Sequence, residues 1–211
     1  MAASEWLVDE GLAPRPQWVN QSHDHPIRVA LQRVTLGECQ WQALVSHYDE
    51  QALDWETWTR STPTYFEAVR RGLALVDIGF PFLVLEVCSG SAPVPRELLD
   101  GSSHVCLDAS DEMLRAMSPV ETRVCANVES LPFADGTFAC VLSVNGYVDV
   151  LECVRVLSEN GVLIVAWTFG SWTPMYRSWD EILRDLPDGC QLDLGRGTWG
   201  EFGVVRLNCG R

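Results

Sequence analysis

From residue 82 onward the chain is built of short, continuous apolar runs. They are Phe82-Leu-Val-Leu-Glu-Val87, His104-Val-Cys-Leu107, Thr122-Arg-Val-Cys-Ala126, Phe138-Ala-Cys-Val-Leu-Ser-Val144 and Gly161-Val-Leu-Ile-Val-Ala-Trp167. This rhythm constrains the fold more than any other feature. A strand with one wet face alternates apolar and polar residues, whereas a strand covered by helices on both faces has no polar face to show. Polar helical segments separate several of the runs, which is the pattern of βαβ crossovers and a doubly wound, mostly parallel α/β sheet. A helix is expected between about Pro174 and Leu186. Beyond it, Gln191-Leu-Asp-Leu194 and Phe202-Gly-Val-Val-Arg-Leu207, with Gly195, Gly197 and Gly200 between them, read as an antiparallel hairpin. The five runs and these two segments predict a seven-stranded sheet that ends in a hairpin.

The first 80 residues have a different texture. Trp6, Trp18, Trp41, Trp55 and Trp58 are interspersed with Pro14, Pro16, Pro26 and Pro63. Helical spacing of apolar residues is found over Ile27–Val34, Gln40–Tyr48 and Tyr65–Val76, the last preceded by the start signals Ser61, Thr62 and Pro63. With 211 residues the chain is expected to be one domain: a helical lid over 1–80 and an α/β core over 81–211.

Charge narrows the partners. Twenty-nine acidic residues stand against fifteen basic ones, all Arg, for a net charge of −14. Nucleic-acid and anionic-membrane binding rest on clustered Lys and Arg, so neither is expected. The absence of Lys removes Schiff-base and P-loop chemistry. No apolar stretch approaches the roughly 20 residues that span a bilayer. The start, Met1 to Trp6, lacks the basic and apolar regions of a signal peptide, so a cytoplasmic location is expected. The eight cysteines contain no C-x-x-C pair, and three of them (Cys106, Cys125, Cys140) fall in strand-like runs. They read as reduced core residues, and no metal site is expected.

Two strand ends carry the candidate chemistry. The first run closes in Glu86-Val-Cys-Ser-Gly-Ser-Ala92. In open α/β sheets ligands bind outside the carboxyl ends of the strands, and a turn of small residues there lets backbone approach a ligand closely. The second run closes in Leu107-Asp-Ala-Ser110, with Asp111-Glu-Met113 opening a helix. An acidic side chain about twenty residues beyond the first turn is placed to accept both hydroxyl hydrogens of a ribose. Ser110 can cap the helix at the same time.

In these pieces the chain resembles the class I S-adenosylmethionine-dependent methyltransferases, in particular small-molecule enzymes of the widespread methyltransferase-domain type. Val84–Ala92 is similar to the family's first motif and Leu107–Leu114 to its ribose-binding strand end. Asn127-Val-Glu-Ser-Leu-Pro-Phe-Ala-Asp-Gly-Thr-Phe138 is similar to the segment that leads into the fourth strand, and Arg155–Leu163 to the turn into the fifth. The resemblance covers residues 82–169 well and the tail to 211 more loosely. It implies S-adenosyl-L-methionine as cofactor and S-adenosyl-L-homocysteine as product. It places Glu86, Cys88, Ser89 and Gly90 at the methionine end of the cofactor and Asp108 at the ribose. Ala109, Met113, Asn127 and Val128 would meet the adenine, and Ser143 and Val144 would lie near the sulfonium. The chain departs from the family where Cys88 and Ala92 replace two glycines of the first motif, and where the stretch Tyr147–Arg155 is short.

The resemblance implies methyl transfer to a small-molecule acceptor with an aromatic or apolar body and a place in secondary metabolism, because an aromatic-rich lid suits such a body. His47 is the first candidate for a general base; Tyr147, Trp167 and Trp172 are candidates for the acceptor pocket. DNA amino-methylating members carry Asn/Asp-Pro-Pro-Tyr/Phe after the fourth strand, where this chain reads Ser143-Val-Asn-Gly-Tyr147. Alternatives on the same scaffold are a cofactor-retaining enzyme of cyclase type and a non-catalytic interaction subunit, and assembly as a homodimer is left open.

Overall fold

The structure, a computed structural model, describes residues 6–12, 38–62, 64–77, 79, 81–118 and 122–207. Among them, eight strands form one sheet: β1 (Trp6–Asp9), β2 (Leu83–Val87), β3 (Ser103–Asp108), β4 (Thr122–Cys125), β5 (Phe138–Val144), β6 (Leu157–Trp167), β7 (Cys190–Gly197) and β8 (Gly200–Leu207). The α-helices are α1 (Glu38–Ser61), α2 (Glu67–Leu73), α3 (Asp111–Ala116), α4 (Val150–Arg155) and α5 (Trp179–Asp185). The helix expected over Ile27–Val34 lies outside the described residues. No helix among the described residues is long and apolar enough to cross a membrane.

The strand order is β1-β7-β8-β6-β5-β2-β3-β4. Strands β6, β5, β2, β3 and β4 run parallel, β8 is antiparallel to both β6 and β7, and β1 is parallel to β7. The doubly wound sheet with a closing hairpin is thus present, but it has eight strands rather than seven. The extra strand, Trp-Leu-Val-Asp, is four residues long and half-buried, too short for a periodicity to register. It is held from outside itself. Asp9 accepts two hydrogen bonds from Arg196 at 2.7 and 2.9 Å, and the Arg196 guanidinium lies 4.7 Å over the Trp6 ring.

The continuous apolar runs are explained by burial on both faces. Val84, Cys140, Leu142, Val162 and Ile164 project to one side, where Ala68, Val69 and Leu73 of α2 cover them. Leu85, Val87, Val141, Leu163 and Val165 project to the other, beneath Val150, Cys153 and Val154 of α4 and Trp179 and Ile182 of α5. Removing such residues from water is worth about 1.5–3 kcal/mol for each large side chain, which is why few polar residues interrupt them.

The expected lid over residues 1–80 needs correction, because β1 joins the sheet and α2 packs on its face. Only α1, among the described helices, crosses the strand ends. Because β2-β3-β4 and β5-β6 wind outward in opposite directions, the order reverses between β2 and β5. Loops leaving such a switch point diverge and leave a crevice outside the carboxyl ends.

Candidate functional site

That crevice is a cavity of about 480 Å³, walled by the loops after β2, β3, β5 and β6 and roofed by α1. The loop after β2 begins with Cys88 in the left-handed region (φ 52°). A side chain other than Gly, Asn or Asp costs about 1–2 kcal/mol there, since Cβ crowds the following carbonyl. The neighbourhood is shaped to receive it. A Cβ built on Gly146, in the loop after β5, would collide with Cys88 Cβ, so Gly146 leaves the space that the Cys88 side chain fills. The thiol donates to the Tyr147 carbonyl at 3.4 Å. Burial, then the nearby Asp108, pushes the Cys88 thiol well up, so it stays protonated.

Two residues on, Gly90 has φ 59° and donates its N–H to Asp108 Oδ2 at 2.8 Å. Asp108 Oδ1 accepts the Ser110 N–H at 2.9 Å, and Ser110 Oγ caps α3 by accepting from Met113 N at 3.0 Å. Asp108 therefore ties the first loop to the second. Burial pushes its carboxyl up, against chiefly the hydrogen bonds from Ser110 and Gly90, with Asp49 nearby adding to the rise. Each oxygen keeps a lone pair for a further donor.

Glu86, 2% exposed, closes the floor. Its Oε2 accepts the Val94 N–H at 2.9 Å and lies 3.0 Å from His104 Nε2. No bond from a described residue falls on Oε1, and Glu86 lines the cavity. His104 is therefore a support of the site's floor. Cys106 Sγ is 3.6 Å from the same ring nitrogen, and the three donor groups lie within 4.8 Å of one another. Residue spacing could not reveal this trio, because Glu86 comes from the neighbouring strand.

Helix α1 is fastened across these loops by polar contacts. Trp41 Nε1 donates to Glu129 Oε2 at 2.6 Å, Ser110 Oγ to Asp49 Oδ1 at 2.5 Å, and Ser91 Oγ to the Ala52 carbonyl at 3.1 Å. Between them a chain of rings lines the roof: Tyr48 meets Trp55 edge-on at 5.6 Å, Trp55 meets Trp58 at 5.2 Å, and Trp58 meets Tyr65 at 5.7 Å. Trp41 meets Tyr147 edge-on at 5.6 Å. Burial holds all three phenols protonated: Tyr48 is raised furthest, while Tyr65 and Tyr147 are each pushed up to about 12. They can donate hydrogen bonds to a ligand but are not bases near neutral pH. Because the Trp41–Glu129 bond joins α1 to the loop after β4, Glu129→Ala should loosen the first turns of α1. The expected cost is about 1.5–3 kcal/mol, the range for a bond to a charged acceptor. Amide hydrogen exchange should show faster opening around Trp41 and unchanged rates in β5.

Of the residues singled out from the sequence, His47, Glu86, Cys88, Ser89, Gly90, Asp108, Ala109, Met113, Val144, Tyr147 and Trp172 line the cavity. His47 is there with its ring edge-on to Tyr48 at 5.5 Å. Asn127, Val128, Ser143 and Trp167 are not on the wall. Asn127 folds its amide onto Glu129, accepting the Glu129 N–H at 2.9 Å. Val128 is 2% exposed and belongs to the core. Ser143 faces away from Val144, as alternate strand residues must, and lies 3.5 Å from the Gly146 carbonyl. Trp167 is fully buried under the sheet, and its Nε1 has no hydrogen-bond partner among the described residues.

Tyr48, Trp55 and Tyr65 line the cavity without being candidates from the sequence. A signal is present: Trp41, Leu44, Tyr48, Ala52, Trp55 and Thr59 recur at three- and four-residue steps, the stripe of one helical face. Asn145 escapes the sequence reading as well. It sits at φ 59°, and its side chain pairs with Thr168 through two 2.7 Å bonds, pinning the end of β5 to that of β6.

Residues 85–165 match the family described as "Methyltransferase domain". Over that stretch the chain is similar to the S-adenosylmethionine-dependent methyltransferases. The Burkholderia thailandensis 1,6-didemethyltoxoflavin-N1-methyltransferase, solved with 1,6-didemethyltoxoflavin and S-adenosylhomocysteine bound, superposes with a TM-score of 0.62 at 15% identity, covering 83% of this chain and 92% of that one. A chain from the complex between the Haloferax volcanii Trm112 methyltransferase activator and a methyltransferase gives 0.60 at 16% identity, covering 76% and 97%. A SAM-dependent methyltransferase from Aquifex aeolicus gives 0.53 at 16%, covering 77% and 98%. At such identities the likeness is one of fold. An uncharacterized protein of Methanocaldococcus jannaschii is 36% identical over 90 residues, and the matched stretch is 40% of this chain and 40% of that protein.

The crevice fits S-adenosylmethionine on its own atoms. The free Glu86 Oε1 suits an ammonium, and both Asp108 oxygens retain capacity for ribose hydroxyls. Ser89 Oγ is buried with no partner among the described residues.

Proposed function

We propose that this chain transfers a methyl group from S-adenosylmethionine to a small-molecule acceptor with an aromatic or apolar body. The observation that carries the reading is the position of the cavity: it lies at the switch point, bounded on one side by the Glu86–Ala92 and Asp108–Met113 segments and on the other by aromatic rings of α1 and of the loops after β5 and β6. Bound S-adenosylmethionine would supply a methyl group already activated by a sulfonium. Asp108 would accept the ribose hydroxyls, Ala109 and Met113 would pack against the adenine, and Glu86 Oε1 would accept the ammonium. Val144 and Tyr147, at the end of β5, border the space left for the acceptor, with Trp41 and Trp172 opposite.

The chain's own contribution is positioning and exclusion of water, with α1 closing over the reacting groups. His47 is the group on the wall suited to receive a proton from an acceptor that must lose one. The −14 charge and the absence of Arg and Lys from the described wall favour an uncharged or cationic acceptor over a nucleic acid. The Cys88 replacement speaks for cofactor binding rather than its loss, since Gly146 accommodates the side chain. Isothermal titration with S-adenosylmethionine and with S-adenosylhomocysteine tests the reading. Micromolar binding of both is expected, and a folded protein that takes up neither would overturn it.

A further inference from the structure

We propose that the carboxylate at the amino-acid end of the cofactor is held by two uncharged donors, the Trp55 indole N–H and the Ser89 hydroxyl, beside the Gly90 turn. The inference rests on the methyltransferase reading above. It begins from a mismatch. An amino-acid end carries an anion as well as a cation, and an ionised carboxylate taken out of water needs hydrogen-bond donors around it. The cation has Glu86. For the anion, the described wall offers no Arg and no Lys. Neutral N–H and O–H groups must serve, and two lie unused at the right loop.

Ser89 is 5% exposed, lines the cavity, and its Oγ makes no hydrogen bond with a described residue. Buried hydroxyls are nearly always bonded, so an idle one in a ligand cavity marks a place where a ligand completes the set. Trp55 is half-buried and lines the cavity, and its Nε1 has no hydrogen bond to a described residue. It lies 2.8 Å from the point a Cβ of residue 90 would occupy, and Trp55 Cδ1 lies 3.1 Å from it. The absence of a side chain at Gly90 is therefore what admits the indole to the loop. The ring is held in place by Tyr48 on one side and Trp58 on the other, and α1 is docked one turn earlier through Ser91 Oγ and the Ala52 carbonyl. A donor fixed in this way loses little entropy on binding.

The test compares two ligands that share adenine, ribose and thioether sulfur. S-adenosylhomocysteine carries the amino-acid end; 5′-methylthioadenosine lacks it. Trp55→Phe keeps an aromatic ring in the stack and removes the N–H; Ser89→Ala removes the hydroxyl. Thermal denaturation confirms that both variants fold. Each should weaken S-adenosylhomocysteine binding about tenfold by titration calorimetry, as expected for one bond to a charged acceptor. Each should leave 5′-methylthioadenosine within about twofold of the wild-type value, since neither donor would face that ligand. Equal weakening of both ligands would assign Trp55 a packing role and overturn the proposal, as would unchanged affinity. Tighter S-adenosylhomocysteine binding in Trp55→Phe would make the indole an obstacle and overturn it equally. Failure of the wild type to bind either ligand would instead refute the methyltransferase reading itself.

Discussion

Asp108→Ala is expected to weaken S-adenosylhomocysteine binding at least about a hundredfold while leaving a folded protein. Two ribose hydroxyls donating to one carboxylate make two charge-assisted bonds, each worth about 1.5–3 kcal/mol, and about 2.7 kcal/mol is already a factor of a hundred. The substitution also strands the Gly90 and Ser110 N–H groups, which now donate to Asp108. Some loss of thermal stability should accompany the loss of affinity. The pH dependence has a definite sign. Burial raises the Asp108 carboxyl above its ordinary value near 3.9. As pH falls through that raised value, protonation removes an acceptor. Wild-type binding should therefore weaken at a higher pH than an ordinary carboxylate would dictate, and Asp108→Asn should lack this limb. Full affinity in Asp108→Ala would remove Asp108 from the site.

The second large effect concerns Gly146. Adding a methyl group there forces it into the Cys88 side chain, which cannot retreat, because its Cβ is fixed by the left-handed backbone at φ 52°. Overpacking of this kind costs about 1–3 kcal/mol. At about 2–4 °C per kcal/mol for a chain this long, Gly146→Ala should melt several degrees lower. Cys88→Gly removes both the obstructing side chain and the left-handed penalty of about 1–2 kcal/mol. In that background Gly146→Ala should cost far less, with a coupling energy of about 1 kcal/mol or more in a double-mutant cycle. Additive effects on chemical denaturation would show that the two residues do not share the space.

The Cys88–Gly146 pair illustrates where sequence reading stops. Taken alone, Cys88 is a departure from a glycine-rich motif. Its compensation stands 58 positions away, on the loop of a strand that is β2's neighbour only because the winding reverses there. The same applies to Glu86 and His104, which meet across two strands, and to Asn145 and Thr168 at the ends of β5 and β6. By contrast, Asp108, Gly90, Met113 and Val144 are legible, because each sits at a strand end whose position follows from the apolar runs. Asn127, Val128, Ser143 and Trp167 depart from expectation for a local reason. The strand or turn is where the sequence puts it, but the direction of one side chain depends on register and on what packs beside it. Trp167, at the very end of β6, points into the core instead of the cavity.

The amino-acid sequence alone determined the parallel, doubly wound core, its hairpin and the strand ends that border the crevice. Burial on both faces writes itself into the chain as unbroken apolar runs, and turns of small residues mark their ends. It did not determine the edge strand β1, whose four residues gain their order from β7 and Arg196, nor the aromatic roof. Which faces of α1 meet Gly90, Ser110 and Glu129 was decided only when the helix was laid across the sheet. Those contacts join residues up to 88 positions apart, and no local pattern records them. Local periodicity reports what an element buries; only the assembled fold reports against whom.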